Sequence, residues 1–349
     1  MQKTCRLRFG FSSSKNRKSK IQNRQWLGLF VIAFVLVVTE AVAEAQQNHK
    51  IIRIGILDAN SEAVAAPRLE AFREGLRELG HLDGQNISIE PRYADGKLER
   101  IPALAAELVQ RNIDIFVVSS TPGALAAKNA TKSIPIVFFG VTDPVGAGLV
   151  PSLPRPAGNI TGLTNIAAVL SGKRLELLKE TIPKISRVAV LWDPKVLGSV
   201  PQWEQSQLPA KEFGIQLYSM RVSSGDKFDS AFKSAINAGS NALAVTLNPL
   251  ANSNQKHVVG LSIQYRIPTI FPRADFVESG GLMSYGPMIA TEGRDAARLV
   301  DKIMKGAKPA DLPVEQPSKF ELVINLNTAK QIGVTIPPNV LARADRVIK

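Results

Sequence analysis

Residues 51–80 read IIRIGILDANSEAVAAPRLEAFREGLRELG, and this stretch decides the fold. Residues 51–57 are an apolar run with the length of a strand, and Asp58-Ala59-Asn60 ends it. Leu69, Phe72, Leu76 and Leu79 then recur at spacings of three and four, which places them on one face of a helix. Gly80 stops that helix. A strand that runs into an amphipathic helix is the opening half of a β-α-β unit.

The same alternation continues downstream. Residues 87–90 read as a short strand, 101–110 as a helix, and 113–118 as a nearly uninterrupted apolar strand of the kind covered on both faces. Further strands follow at 134–139 and 160–163. The pattern then restarts. A helix is expected over 171–182, strands at 188–191 and 215–222, a helix over 227–237 and a strand at 242–247. A helix around 257–265, strands at 269–271 and 281–285, and a helix carrying Ala297, Val300, Ile303 and Met304 complete it. Two successive runs of this kind predict an α/β protein of two doubly wound, Rossmann-like lobes with a ligand cleft between them. The Pro/Gly-rich stretch 151–162 is the expected crossing from one lobe to the other.

Length and charge fit this reading. The chain has 349 residues, room for two domains, and a formal net charge of +13. The first 45 residues hold eight Lys and Arg against two Glu, and the remainder 35 against 28. In the remainder the charges mix at helical spacing, as in Arg68, Glu70, Arg73, Glu74, Arg77 and Glu78, which predicts a solvated helix face and no nucleic-acid partner. At the amino terminus, a basic stretch with Lys15, Arg17, Lys18, Lys20 and Arg24 precedes an uncharged run over 26–38. The small residues Ala41, Ala43 and Ala45 follow, so residues 1–45 have the order of a secretory signal peptide. The uncharged run is shorter than the roughly 20 residues of a membrane span. The single cysteine, Cys5, lies within that segment, so an exported chain has no disulfide, thiol nucleophile or Cys-based metal site.

The candidate chemistry sits where strands end. Ser119-Ser120-Thr121-Pro122 reads as a helix start with Thr121 as its cap and Pro122 in first position. A helix start at the carboxyl end of a strand offers N–H groups to a carboxylate, and plain capping is the alternative. Thr142-Asp143 closes the next strand beside several glycines, where Asp143 either meets an ammonium group or caps a turn. In the second half, Trp192, Asn248 and Asp275 each follow a strand, as does Tyr285. Trp192 either stacks on a flat ligand or fills core space. Enzyme signatures are missing: there is no H-E-x-x-H, G-x-S-x-G or G-x-G-x-x-G. Gly172-Lys173 lacks the upstream glycine of a phosphate loop, and Arg174 stands where that loop needs Ser or Thr. His49, His81 and His257 are scattered. No enzymatic activity, cofactor or metal is expected.

Nine segments carry a family resemblance: AFREGLRELG (71–80), QNISIE (85–90), YADG (93–96), TDPVGAGLV (142–150), GNITGL (158–163), SGKRLELL (171–178), RVAVLWDP (187–194), FVESGGLMSYGP (276–287) and KGAKPADLPVEQPSKFELVINLNTA (305–329). Over 51–349 the chain resembles the ABC transporter substrate-binding protein family, whose better-known members bind tryptophan, tyrosine or phenylalanine. The resemblance implies a type I periplasmic-binding-protein fold in which the chain crosses three times between lobes. The expected amino-terminal lobe is 46–164 plus 286–316, and the carboxyl-terminal lobe 165–285 plus 317–349. It also implies a monomer in the periplasm that closes on a small-molecule ligand and docks on an ABC permease in the inner membrane. A ligand sensor for a membrane receptor would use the same fold. A periplasmic enzyme would need a nucleophile–base pair, and a DNA-binding regulator a helix-turn-helix where the export signal stands. By resemblance, the ligand carboxylate sits at Ser119, Ser120 and Thr121, with Thr142 and Asp143 adjacent. Asn165, Asn248, Asp275 and Tyr285 face the cleft. The sequence departs from the family after Leu247, where Asn248-Pro249-Leu250-Ala251-Asn252-Ser253 replaces Asp-Pro and bulky apolar residues, which implies a smaller and more polar wall.

Overall fold

A computed structural model describes residues 51–349. The expected signal peptide over 1–45, with Cys5, lies outside the described residues. The chain opens with β1 (Ile52–Asp58), α1 (Glu62–Glu78), β2 (Ile87–Tyr93), α2 (Ile101–Gln110), β3 (Ile115–Ser119), α3 (Thr121–Ala130), β4 (Ile136–Val141) and β5 (Ile160–Thr164). These strands form one parallel sheet in the order β2-β1-β3-β4-β5. Strand alternation sorts their side chains into two cores. Ile54, Ile56, Ile115 and Val117 cluster with Leu69, Phe72 and Leu76 of α1. Leu57, Phe116 and Val118 cluster on the other side with Ile101, Ala105 and Leu108 of α2. Covering both faces explains why these strands are apolar at nearly every position.

The second run is α4 (Leu170–Thr181), β6 (Arg187–Trp192), α5 (Val200–Glu212), β7 (Gln216–Arg221), α6 (Phe228–Asn237), β8 (Ala242–Val245), α7 (Pro249–Ser253), α8 (Gln255–Gln264), β9 (Thr269–Phe271), α9 (Ala274–Glu278) and β10 (Met283–Pro287). After α10 (Ile289–Met304) come β11 (Phe320–Asn325), α11 (Leu326–Ile332), α12 (Pro338–Leu341) and β12 (Arg346–Ile348). The second sheet runs β12-β11-β10-β9-β8-β6-β7, parallel except for the β10–β11 pair. It too has a core on each face. Val188, Val190 and Ile270 lie in one, and Ala189, Leu191 and Phe271 in the other. The molecule therefore has two Rossmann-like lobes of the type I periplasmic-binding-protein kind.

The chain passes between the lobes three times. The stretch 151–162 is not the first crossing: it leads into β5, which pairs with β4 in the first sheet, and the chain leaves only after Thr164. The second crossing follows β10, which stays in the second sheet through Pro287. Helix α10 then lies against α1 in the first lobe, where Ala296, Ala297 and Val300 join Leu69, Phe72 and Leu76. The third crossing leaves from Glu315, whose N–H donates to the Gly162 carbonyl at 2.9 Å, and ends in β11.

Candidate functional site in the interlobe cleft

A cavity lies where the carboxyl ends of both sheets converge, the expected place for a ligand in open α/β sheets. It encloses about 680 Å³ of empty space, counting that open to solvent at its mouth. The first lobe supplies Asn60, Arg68, Thr121 and Glu292 among others, and the second supplies Arg174, Gly198, Asn252 and Arg273.

Six of the nine sequence-predicted residues line this cavity: Ser119, Ser120, Thr121, Thr142, Asn165 and Asn248. Their side chains mostly hold the walls together. The Ser119 hydroxyl accepts from the Ala59 N–H at 3.1 Å. Ser120, not Thr121, caps α3, and its Oγ accepts from the Gly123 N–H at 3.4 Å. Thr121 is diverted because its Oγ1 accepts from the Thr142 N–H at 3.3 Å, tying α3 to the loop after β4. Ser120 sits at φ 67°, ψ 158°, a region used almost only by glycine, so it stores strain at the cavity wall. The Thr142 hydroxyl donates to Asn165 Oδ1 at 3.0 Å, and Asn165 Nδ2 donates to the Gly140 carbonyl at 2.8 Å. Asn248 caps α7 by accepting from the Ala251 N–H at 2.8 Å.

The other three stand outside the lining. Asp143 is exposed, and its carboxylate accepts from the Gly146 N–H at 2.9 Å, so it caps its own turn. Asp275 accepts from Arg273 Nε at 3.1 Å and Nη2 at 2.6 Å. The Tyr285 ring stacks on Phe320 at 6.2 Å, while its carbonyl accepts from Arg174 Nε at 2.8 Å. Asp275 and Tyr285 thus each hold an arginine that does line the cavity. Trp192 does not reach the cavity either: it stacks on Trp203 at 5.6 Å and donates to Ser219 Oγ.

The charged lining was not foreseen. Arg68, read as part of a solvated helix face, is 6% exposed. Its spacing of four from Phe72 puts both on the buried side of α1. Arg68 Nη2 donates to Asp58 Oδ2 at 3.2 Å and Nη1 to Glu292 Oε2 at 3.5 Å, with the guanidinium 4.8 Å above the Phe139 ring. Burial pushes the Asp58 carboxyl up, but Arg68 and hydrogen bonds from Asn60 and Ser119 more than reverse this, leaving it below its usual range. Burial holds the Glu292 carboxyl above its usual range, with Arg68 and Arg273 opposing. Four buried side-chain atoms of the lining have no hydrogen-bond partner among the described residues: Asn60 Oδ1, Arg68 Nε, Arg174 Nη2 and Asn252 Oδ1. Among the described residues, no group of three or more His, Cys, Asp or Glu could hold a metal ion. No helix among them is long and apolar enough to cross a membrane.

Two α/β lobes around a polar, charge-lined cavity define a two-lobed binding protein. The comparisons narrow that class. The ABC transporter substrate binding protein family model matches residues 56–348, and the chain belongs to this family. A "Tyrosine-binding protein" of Clostridioides difficile (strain R20291) is 30% identical over 278 residues, 78% of this chain and 80% of that one. An "ABC domain" from Streptococcus pneumonia, solved in complex with L-Trp, matches with a TM-score of 0.80 at 28% identity, over 86% of this chain and all of that one. A ligand-free, open substrate binding protein with adhesive properties from Clostridium difficile matches over the same shares at 27% identity, with a TM-score of 0.63.

Proposed function

We propose that this protein is the periplasmic solute-binding component of an ABC importer. It captures an amino acid or related carboxylate in the interlobe cleft and delivers it, as a monomer, to an inner-membrane permease. The observation that carries the reading is the cavity itself, lined from both lobes and holding buried polar atoms whose partners the protein does not supply. Burying such atoms unpaired is costly, and a ligand that pairs them on closure gains affinity from the same term. The relatives that bind tyrosine and L-Trp support an amino-acid ligand. The better match to the L-Trp complex than to the open protein, at almost equal identity, supports reading this lobe arrangement as closed. Binding without turnover is the expected chemistry, and the charged order of residues 1–45 supports export.

The test is a thermal-shift screen of the purified protein against amino acids, small carboxylates, nucleosides and sugars, with each hit recovered and weighed by mass spectrometry. One chemical class should raise Tm and be recovered unchanged. A ligand at a hundredfold excess over Kd stabilises the fold by about 2.7 kcal/mol. Loss of uptake of that compound on deleting the gene separates an importer component from a sensor. Silence across the panel, or chemical conversion of a hit, refutes the reading.

A further inference from the structure

Among the described residues, Arg174 is the one cation of the cavity wall without an anion beside it. It lies on α4 in the second lobe and is 3% exposed. Two backbone carbonyls tether it: Nε donates to Tyr285 O at 2.8 Å, and Nη1 donates to Ala167 O at 3.3 Å. Those tethers fix the guanidinium plane. Nη2 is buried and bonded to nothing. The other two arginines of the lining are neutralised, Arg68 by Asp58 and Glu292, and Arg273 by Asp275. Burial without a carboxylate beside it pulls the Arg174 guanidinium down to about 10.

The opposite wall has the complementary group. Asn60 is 3% exposed, and its Nδ2 donates to Asp58 Oδ1 at 2.7 Å. That bond fixes the orientation of the amide, because a carboxylate can only accept, so Asn60 Oδ1 is an acceptor lacking a donor. Arg68 Nε also lacks a partner, but an anion there would sit beside both Asp58 and Glu292. Asn252 Oδ1, on the second lobe, is a further buried atom without a partner, and rotating that amide would present its NH2 instead.

We infer that the ligand binds with its carboxylate on Arg174 Nη2 of the second lobe and an N–H donor, such as its ammonium group, on Asn60 Oδ1 of the first. This rests on the solute-binding reading above and reverses the polarity expected from the sequence, in which the helix start at Ser119–Thr121 takes the carboxylate. The donors there are largely spent within the protein: the Thr121 hydroxyl on the Thr142 carbonyl, the Ser119 hydroxyl on Asp58, and the Ser120, Gly123 and Ala124 N–H groups on the Phe139 carbonyl, Ser120 Oγ and the Ser120 carbonyl, whereas Arg174 and Asn60 have capacity left. A ligand oriented this way bridges the lobes through its two charged ends, so closure and charge pairing become one event.

The test measures affinities of the purified protein for the standard L-amino acids, each beside its α-carboxamide, its decarboxylated amine and its deaminated acid, by calorimetry. The amino acid that binds should lose roughly 10- to 100-fold in affinity as the carboxamide or the amine, and weaken as the deaminated acid. Arg174→Gln should weaken the amino acid by a similar factor and abolish the preference for acid over carboxamide, a readout that general damage to the fold does not produce. If Arg174→Gln does not fold, the acid-to-carboxamide ratio of the wild-type protein decides alone. A carboxamide or amine that binds within twofold of the acid, or full affinity in Arg174→Gln, overturns the Arg174 assignment and leaves the solute-binding reading standing. A deaminated acid of undiminished affinity overturns the Asn60 assignment. If no amino acid binds but a sugar or nucleoside does, this inference fails alone; if nothing binds, both fail.

Discussion

Arg68 joins two carboxylates whose protonation runs in opposite directions, and this gives the fold a pH signature. Asp58 is held below its usual 3.8, so its contribution is present above that value and lost as pH falls through the folded value. Glu292 is held above its usual 4.5. Between 4.5 and the raised value the native state keeps a proton that the unfolded chain has released. Its contribution is therefore full below pH 4.5 and lost as pH rises through the folded value. Glu292→Gln removes this second dependence while keeping a side chain of the same shape. In urea titrations the unfolding free energy of wild type minus that of Glu292→Gln should fall as pH rises above 4.5 and level off once pH has passed the folded value. A difference that stays flat as pH rises above 4.5 means that Glu292 titrates normally in the native state.

At the scale of elements, the site depends on how closely α10 approaches α1. A Cβ on Gly293 would lie 2.6 Å from the Arg68 carbonyl and 2.8 Å from Ala71 Cβ, both on α1. No real side chain fits there without moving the helices apart. Because Glu292 adjoins Gly293, the same movement carries it away from Arg68. Gly293→Ala should destabilise the protein by about 1–3 kcal/mol, the usual cost of overpacking, and also weaken ligand binding. Chemical denaturation and calorimetry on the same sample check both; unchanged stability would mean that α10 slides freely on α1. Such packing is also where the sequence became illegible. The apolar rows of α1, α2 and α6, and the runs of β3 and β4, announced themselves because one or both faces are simply hydrophobic. Helix α5 did not. Pro209 lies within it, and its buried face uses Gln202 and Ser206, with Gln202 Nε2 donating to the Gly198 and Leu247 carbonyls. The site divided the same way. Hydroxyl and amide residues at strand ends were found because strand ends are readable. Arg68 and Arg174 were missed because a charged residue at helical spacing looks solvated until the partner lobe or helix is known to cover it.

For the molecule as a whole, the proposed function has the two lobes meet and part, and the seam between them is narrow. Gly198, between β6 and α5 of the second lobe, faces Thr121 and Thr142 of the first: a Cβ there would lie 2.7 Å from Thr121 Oγ1 and 3.2 Å from Thr142 Cβ. Across another part of the seam, a Cβ on Gly96 would lie 3.1 Å from Ser253 Cβ. The first crossing carries Ile166 at φ 44°, a strained backbone for a β-branched residue and a place where hinge motion can relieve stress. Gly198→Val tests the seam without touching either core. The clash exists only when the lobes are together, so the penalty falls on the closed form and not on the fold of either lobe. If closing costs an added 1–3 kcal/mol, affinity falls by roughly 5- to 150-fold, because ligand binding must supply that energy. Unfolding free energy without ligand should stay within about 1 kcal/mol of wild type if the free protein is mostly open. Small-angle scattering should show wild type contracting on ligand addition and Gly198→Val contracting less at the same concentration. A variant that binds and contracts like wild type would place the closing contact elsewhere in the cleft, and Gly96 against Ser253 would then be the seam that sets it.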